Sequence, residues 1–215
     1  MLLKEIEERY SVRSFSNKRI YDRDIHEILE AGRLAPSWMN VQPWHFIVTD
    51  KQEHKDFLSV CANFQKQIKE CSHIVMVLGD LTAWNNTKFS EILKEKGMNS
   101  ESIQYILNDK GYNPAKHGEQ LLITRTMEQC SYAISFMMIQ AKFMGIDSCI
   151  IGALANELTG FKPELLHDIR EKFQIPNGMF IAGLLVLGYQ KEGSPVPVKK
   201  RKSFEKVVSI EEYCE

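Results

Sequence analysis

Arg9, Ser11 and Arg13 alternate along Arg9-Tyr10-Ser11-Val12-Arg13, so an extended stretch here places two cations and a hydroxyl on one side. Near the other end of the chain, Lys199-Lys200-Arg201-Lys202 forms a second short basic cluster. A phosphate is held by several charge-assisted donors converging from different directions, and segments this far apart can supply them only by folding together. Each such bond is worth roughly 1.5 to 3 kcal/mol net, so two or three would dominate retention of a dianion. The chemistry suggested is binding of a phosphorylated cofactor. A lone basic pair at a chain end is ordinarily solvated surface, and the residues between the clusters are what give this pairing weight.

Other chemistries find less footing. The five cysteines (Cys61, Cys71, Cys130, Cys149, Cys214) include no Cys-x-x-Cys pair and are odd in number, which argues against a disulfide framework and a structural zinc site. The first four lie in apolar contexts and read as buried thiols. The six histidines show no His-Glu-x-x-His spacing, and no Gly-x-Ser-x-Gly elbow is present. No metal site is expected, and no side chain stands out as catalytic.

The elements that must position the basic residues follow from periodicity. A short helix is expected over Leu3 to Arg9, and Asp22 as N-cap opens a second with Ile25, Ile28, Leu29 and Gly32 at helical spacing, ending near Ala35-Pro36. His45 to Thr49 reads as a strand, Lys51 to Lys69 as a helix, and Ser72 to Gly79 as a buried strand. Asp80 to Gly118 differs in texture, mixing Trp84, Phe89, Tyr105 and Tyr112 with charges and two short helices, and reads as an inserted lid. Glu119 to Met144 is the longest helix, apolar nearly all round between Tyr132 and Met144, and is expected to be buried centrally or between subunits. Gly145 closes it. Ser148 to Ile151 is a short strand, Pro163 to Phe173 a helix, and Phe180 to Tyr189 an apolar strand; an extended arm from Ser194 carries the second basic cluster.

With 215 residues, 44% hydrophobic content and a net charge of -1, the chain can bury a sizeable core and projects no global field toward nucleic acid or anionic membrane. Charges appear too early at the N-terminus for a signal peptide, and no apolar run nears the roughly 20 residues that span a bilayer. A cytoplasmic protein is expected. The fold class is α+β, organised as one domain over 1–215 with a lid at about 80–118 and an arm at about 194–215.

Between the clusters lie Ala35-Pro36-Ser37-Trp38-Met39-Asn40-Val41-Gln42-Pro43-Trp44, Ile151-Gly152-Ala153 and Leu187-Gly188-Tyr189. In this order, from Arg-x-Ser-x-Arg to Lys199-x-Arg201, the chain resembles the nitroreductase family of FMN-dependent oxidoreductases over nearly its whole length, Asp80 to Gly118 matching least. The resemblance implies a central, mostly antiparallel sheet flanked by helices in a three-layer sandwich, a homodimer with flavin at its interface, and hydride transfer from NADH or NADPH through FMN to a small acceptor such as a nitroaromatic or quinone, with ping-pong kinetics. It implies that Arg9, Ser11, Arg13, Lys199 and Arg201 hold the FMN phosphate. Ser37 and Asn40 would lie along the flavin and ribityl chain, commonly from the partner subunit. Gln67 would read the pyrimidine edge, and the backbone of Gly152 and Ala153 would approach N5 and O4. A glycine suits that role because a backbone without Cβ can approach a flat ring closely. The absence of a nicotinamide fingerprint leaves open an FMN-storing or sensing module without nicotinamide turnover. Trp44 reads as core packing, and Asn40 could instead cap local backbone.

Overall fold

The computed structural model describes residues 1–213; Cys214 lies outside them. Four strands form one antiparallel sheet: β1 (Trp44–Thr49), β2 (His73–Asp80), β3 (Asp147–Ile151) and β4 (Met179–Gly188), in the order β1-β2-β4-β3. Both faces are covered, which is why β2 and β4 read as near-continuous apolar runs. Ile74, Met76 and Leu78 of β2 point into one core with Leu58, Cys61 and Ile169, while Val75 and Val77 point into the other with Ile28, Ile134 and Met137. In β4 the alternation is interrupted: Phe180 and Ala182 share a core with Leu185 and Leu187, whereas Ile181 shares the other with Leu184 and Val186. The register explains this, since Val77 pairs with Gly183 and Leu78 with Ile181, so β4 carries one extra residue in a bulge.

One helical layer is α2 (Asp22–Arg33) against α7 (Glu119–Phe143). They pack closely because Gly32 has no side chain: a Cβ there would stand 2.7 Å from Met137 Cγ. The opposite layer contains α3 (Gln52–Cys61), α4 (Lys66–Glu70) and α8 (Leu166–Lys172). The sheet between two helical layers is the expected three-layer arrangement. A short α1 (Lys4–Glu8) precedes the first basic cluster, and α5 (Asn86–Glu95) and α6 (Ser100–Asn108) lie in the 80–118 segment.

Two expectations change. Asp22 is the first residue of α2 and caps nothing; Tyr21 takes the N-cap position, and the Asp22 carboxylate accepts from Arg19 at 2.9 Å. The helix expected over Lys51 to Lys69 is two helices, broken where Asn63 and Phe64 adopt left-handed φ of 59° and 60° and the Phe64 amide turns back to Ser59 O at 2.6 Å. Of the lid's aromatics, Trp84 and Phe89 form its interior: both are fully buried with Leu93, Ile103 and Ile106, and the Trp84 indole donates to Thr126 of α7 at 3.0 Å.

The longest helix buries Cys130, Ala133, Ile134, Met137 and Ala141 while leaving Tyr132, Phe136 and Phe143 exposed, Phe143 by 70%. Gly145 follows its C-cap with φ 72°, a conformation that suits glycine. Among the described residues, the arm after residue 194 contains one 3₁₀ turn, Phe204–Lys206, and carries exposed Val196, Val198, Phe204 and Ile210. No helix among the described residues is long and apolar enough to cross a membrane.

Candidate functional site

The segment containing Arg9, Ser11 and Arg13 is laid along β3. Ser11 bridges Ser148 in parallel, the Val12 amide donates to Ser148 O at 3.1 Å, and Val12 and Phe15 are buried beneath the segment. With Val12 turned into the core, extended backbone sends its neighbours outward. Burial pushes the Cys149 thiol up, and the Arg13 cation, the Ser11 hydroxyl and the Arg9 cation all oppose that rise. Arg13 is exposed, and its Nη1 donates to Ser11 O at 3.3 Å, so its guanidinium lies beside Ser11.

The second basic cluster reaches this place through one residue. Lys199 Nζ donates to Arg9 O at 3.3 Å, so the arm passes beside the first cluster. Between them is a cleft of about 220 Å³ lined by Tyr10, Ser11, Arg13, Gln190, Pro195 and Pro197. Gln190 roots the arm: its amide donates to Asp147 Oδ2 at 3.0 Å, its side chain donates to Ser194 O at 3.2 Å and accepts from the Tyr10 hydroxyl. Arg201 is exposed and donates to Lys200 O at 3.0 Å, with no bond into the cleft.

At the far end of β3, Gly152 and Ala153 are both exposed. A Cβ built on Gly152 would meet nothing within 4 Å, so no contact inside the chain demands glycine there. The bare backbone instead leaves an open face against which a flat ring can lie. Four residue steps, roughly 13 Å at about 3.3 Å each in extended chain, separate Ser148 from Gly152. The donor set and the bare backbone thus suit an elongated ligand with a phosphate at one end and a planar group at the other, which is the form of FMN.

Gln67 is buried and donates to Gln65 Oε1 at 2.7 Å; Gln65, half-buried, donates to Ala153 O at 3.2 Å. The amide beside the Gly152-Ala153 backbone is therefore Gln65, with Gln67 behind it. The continuous helix that the pattern predicts across residues 63 and 64 conceals Gln65; the break makes it the N-cap of α4, within reach of Ala153 O.

Ser37 and Asn40 belong to a separate place. Their loop is anchored to α7 by the Trp38 amide donating to Gln129 Oε1 at 2.7 Å, and Ser37 Oγ accepts from the Gln42 amide at 2.9 Å. Met39, Asn40 and Gln42 have φ of 50°, 58° and 48°, three non-glycine residues in left-handed backbone within four positions. Conformations of this kind cost of order 1 to 3 kcal/mol each and persist where the surroundings enforce them, commonly at ligand sites. Among the described residues no hydrogen bond joins this loop to Arg9–Arg13 or to Gly152-Ala153.

Thiol and metal chemistry gain nothing from the geometry. Cys61, Cys71 and Cys130 are buried, and burial pushes their thiols up to about 11, 12 and 12 respectively. Among the described residues no group of three or more His, Cys, Asp or Glu could hold a metal ion.

Comparison with known proteins agrees with this architecture. Residues 6–189 match the model described as the nitroreductase family. A Bacillus subtilis relative named "Putative NAD(P)H nitroreductase YfkO" is 30% identical over 216 residues, covering 93% of this chain and 92% of its own. The crystal structure of the B. subtilis protein ydfN, described as a "putative nitroreductase", superposes with a TM-score of 0.78 at 25% identity, covering 96% of each chain. A "putative nitroreductase in complex with FMN" from Exiguobacterium sibiricum has the same fold, with a TM-score of 0.74 at 24% identity over 96% of this chain and 95% of that one.

Proposed function

This chain belongs to the nitroreductase family, and on that premise we propose that it binds FMN and passes reducing equivalents from NADH or NADPH to a small organic acceptor. The observation that supports the proposal is the placement of the Arg9–Arg13 segment along β3, with Ser11 bridging Ser148, the Arg13 guanidinium on Ser11 and Lys199 on Arg9, and the bare Gly152 backbone past the strand's other end. A bound FMN supplies a ring that accepts and releases hydride.

The chain's own residues do the holding. Arg9, Ser11 and Arg13 take the phosphate, and Lys199 and Arg201 close over it from the arm. Gly152 and Ala153 offer backbone to the ring, and Gln65 and Gln67 offer amides to its polar edge. No side chain is assigned a proton transfer. Nicotinamide and acceptor visit the same open side in turn, which gives ping-pong kinetics.

Ser37 and Asn40 complete the site from a second copy of the chain. The uncovered Tyr132, Phe136 and Phe143 of α7 and the apolar residues of the arm supply a surface for that copy. We assign the whole of 1–215 to one FMN-binding domain, with a lid at about 80–118 and an arm at about 194–215, working in the cytoplasm as a homodimer. Nitroaromatics, quinones and similar compounds are the acceptor class; with a net charge of -1, nucleic acid is not a partner.

The test is a visible spectrum of the purified protein after FMN supplementation, followed by mixing with NADH or NADPH. A flavin envelope bleached within seconds supports the proposal, and parallel double-reciprocal plots support the ping-pong order. Absence of the envelope refutes it. An envelope that neither nucleotide bleaches would instead indicate a flavin store or sensor.

A further inference from the structure

We propose that the cleft between Trp38 and the end of the lid is the acceptor's subsite, built for a single aromatic ring carrying a compact anion such as a carboxylate. The inference rests on the flavoenzyme reading, since it assigns what that enzyme reduces.

The cleft measures about 200 Å³ and is lined by Trp38, Lys110, Tyr112, His117, Leu121 and Arg125 among others. Drug-sized ligands occupy pockets of roughly 300 to 1,000 Å³, so this volume suits one ring with a substituent. Trp38 follows Ser37 directly, which places the cleft beside the loop already assigned to the flavin.

Two rings are pre-positioned there. Trp38 is fixed at both ends, its amide donating to buried Gln129 and its indole N–H donating to Tyr112 O at 3.2 Å. Tyr112 is itself steadied by Tyr105, edge to face at 5.9 Å. Trp38, Tyr112 and Leu121 each remain more than a third exposed, so apolar surface is available without further ordering.

Charge supplies the second part of the argument. Lys110 and Arg125 line the cleft, and no acidic side chain does. The Arg125 guanidinium sits 5.4 Å from the Trp38 ring centre, and its Nη1 is bonded to Glu128, outside the lining. A guanidinium has five donors in a planar fork, so further donors remain for a carboxylate. His117 Nε2 contacts Lys110 O at 2.7 Å, and because a carbonyl only accepts, this nitrogen carries the proton. A cationic rim selects an anionic aromatic over an uncharged one of the same shape.

The test titrates the FMN-loaded protein with benzoate and with uncharged benzamide, reading the flavin band and tryptophan fluorescence, with W38F identifying the Trp38 contribution. The wild type is expected to bind benzoate about tenfold more tightly than benzamide, the scale of one charge-assisted contact. R125Q should abolish that preference while retaining benzamide affinity. E128Q, which releases Arg125 from its ion pair, should tighten benzoate binding. In turnover, KM should favour 4-nitrobenzoate over nitrobenzene in the wild type, and R125Q should erase the difference.

Equal affinities in the wild type, a preference surviving R125Q, or no gain in E128Q would overturn the assignment. R125Q-sensitive binding of inorganic phosphate without benzoate selectivity would overturn it in favour of a plain anion site. The fluorescence titration works on flavin-free protein, so a failure of FMN binding defeats the functional reading and leaves this inference separately decided.

Discussion

Arg9 to Arg13 is fastened to the sheet by backbone bonds and by buried Val12 and Phe15, whereas Lys199 to Lys202 lies on an exposed arm with Lys199 alone touching the first cluster. The side chains are of the same kinds, but their cost of ordering differs. Donors on a pinned strand are already aimed, while donors on an arm must surrender about 1 to 2 kcal/mol of backbone freedom per residue fixed, plus side-chain entropy. Equal charge therefore does not mean equal contribution. Residue type proposes a phosphate site, and attachment to the scaffold decides which half of it carries the affinity.

Paired alanine variants separate the contributions of strand and arm most sharply. R13A should weaken FMN binding by about 100-fold, toward the upper end of what loss of a charged hydrogen bond does. R201A should weaken it by about tenfold or less, because part of its gain is spent on ordering the arm. Fluorescence titration of apoprotein with FMN measures both. Equal losses would show that the arm is as well organised as the strand, and no loss in either would remove the phosphate site altogether.

Much of this division was readable in advance. Alternation at Arg9, Ser11 and Arg13 predicts a common side, and the structure supplies the reason in the buried Val12 between them. The apolar runs of β2 and β4 announce strands covered on both faces. What the sequence hid depends on single residues in unusual backbone. Asn63 and Phe64 lie within a pattern compatible with continuous helix, so the break that presents Gln65 to Ala153 leaves no periodic trace. That Trp84 and Phe89 fill the lid while Tyr105 and Tyr112 stay exposed is equally hidden, because it depends on how α5 and α6 fold over each other. Side of the sheet is a local property; neighbours across a loop are not.

A smaller effect separates the two regions by pH. Just beyond the pinned strand, the Ile20 amide donates to Ser72 Oγ at 2.8 Å, leaving the Ser72 hydroxyl proton for His73 Nδ1 at 2.9 Å. That arrangement needs an unprotonated Nδ1. Burial holds His73 below the ordinary histidine range, with Asp50 opposing. A depressed folded value means that the unfolded chain binds more protons below about pH 6.5, so stability present at neutral pH is lost as pH falls through that region. Burial lowers His54 as well, adding to the same slope. Thermal unfolding should shift to lower temperature between about pH 7 and pH 5, and H73Q should flatten part of the slope. Arm mobility, followed by limited proteolysis after Lys199 to Lys202, should stay constant over the same range. A slope unchanged in H73Q would exclude His73 as its source.

The mildest perturbation concerns the other loop assigned to the ligand, where rigidity is maintained against strain. Met39 holds φ at 50°, a conformation costing an ordinary residue about 1 to 2 kcal/mol that glycine adopts freely. Met39→Gly relieves that cost but adds freedom to the unfolded chain worth about 0.4 to 1 kcal/mol, so the net gain should be a fraction of a kcal/mol. For a chain of this length the melting temperature should rise by about 1 to 3 °C. Flavin retention should fall slightly at the same time, because a loop no longer confined to one conformation must be ordered by its ligand, as the arm must. A lower melting temperature in M39G would mean that the Met39 side chain, packed against the lid's core, contributes more than the backbone strain costs. Tighter flavin binding would show that the loop's conformation opposes the ligand, and would reverse its place in the comparison.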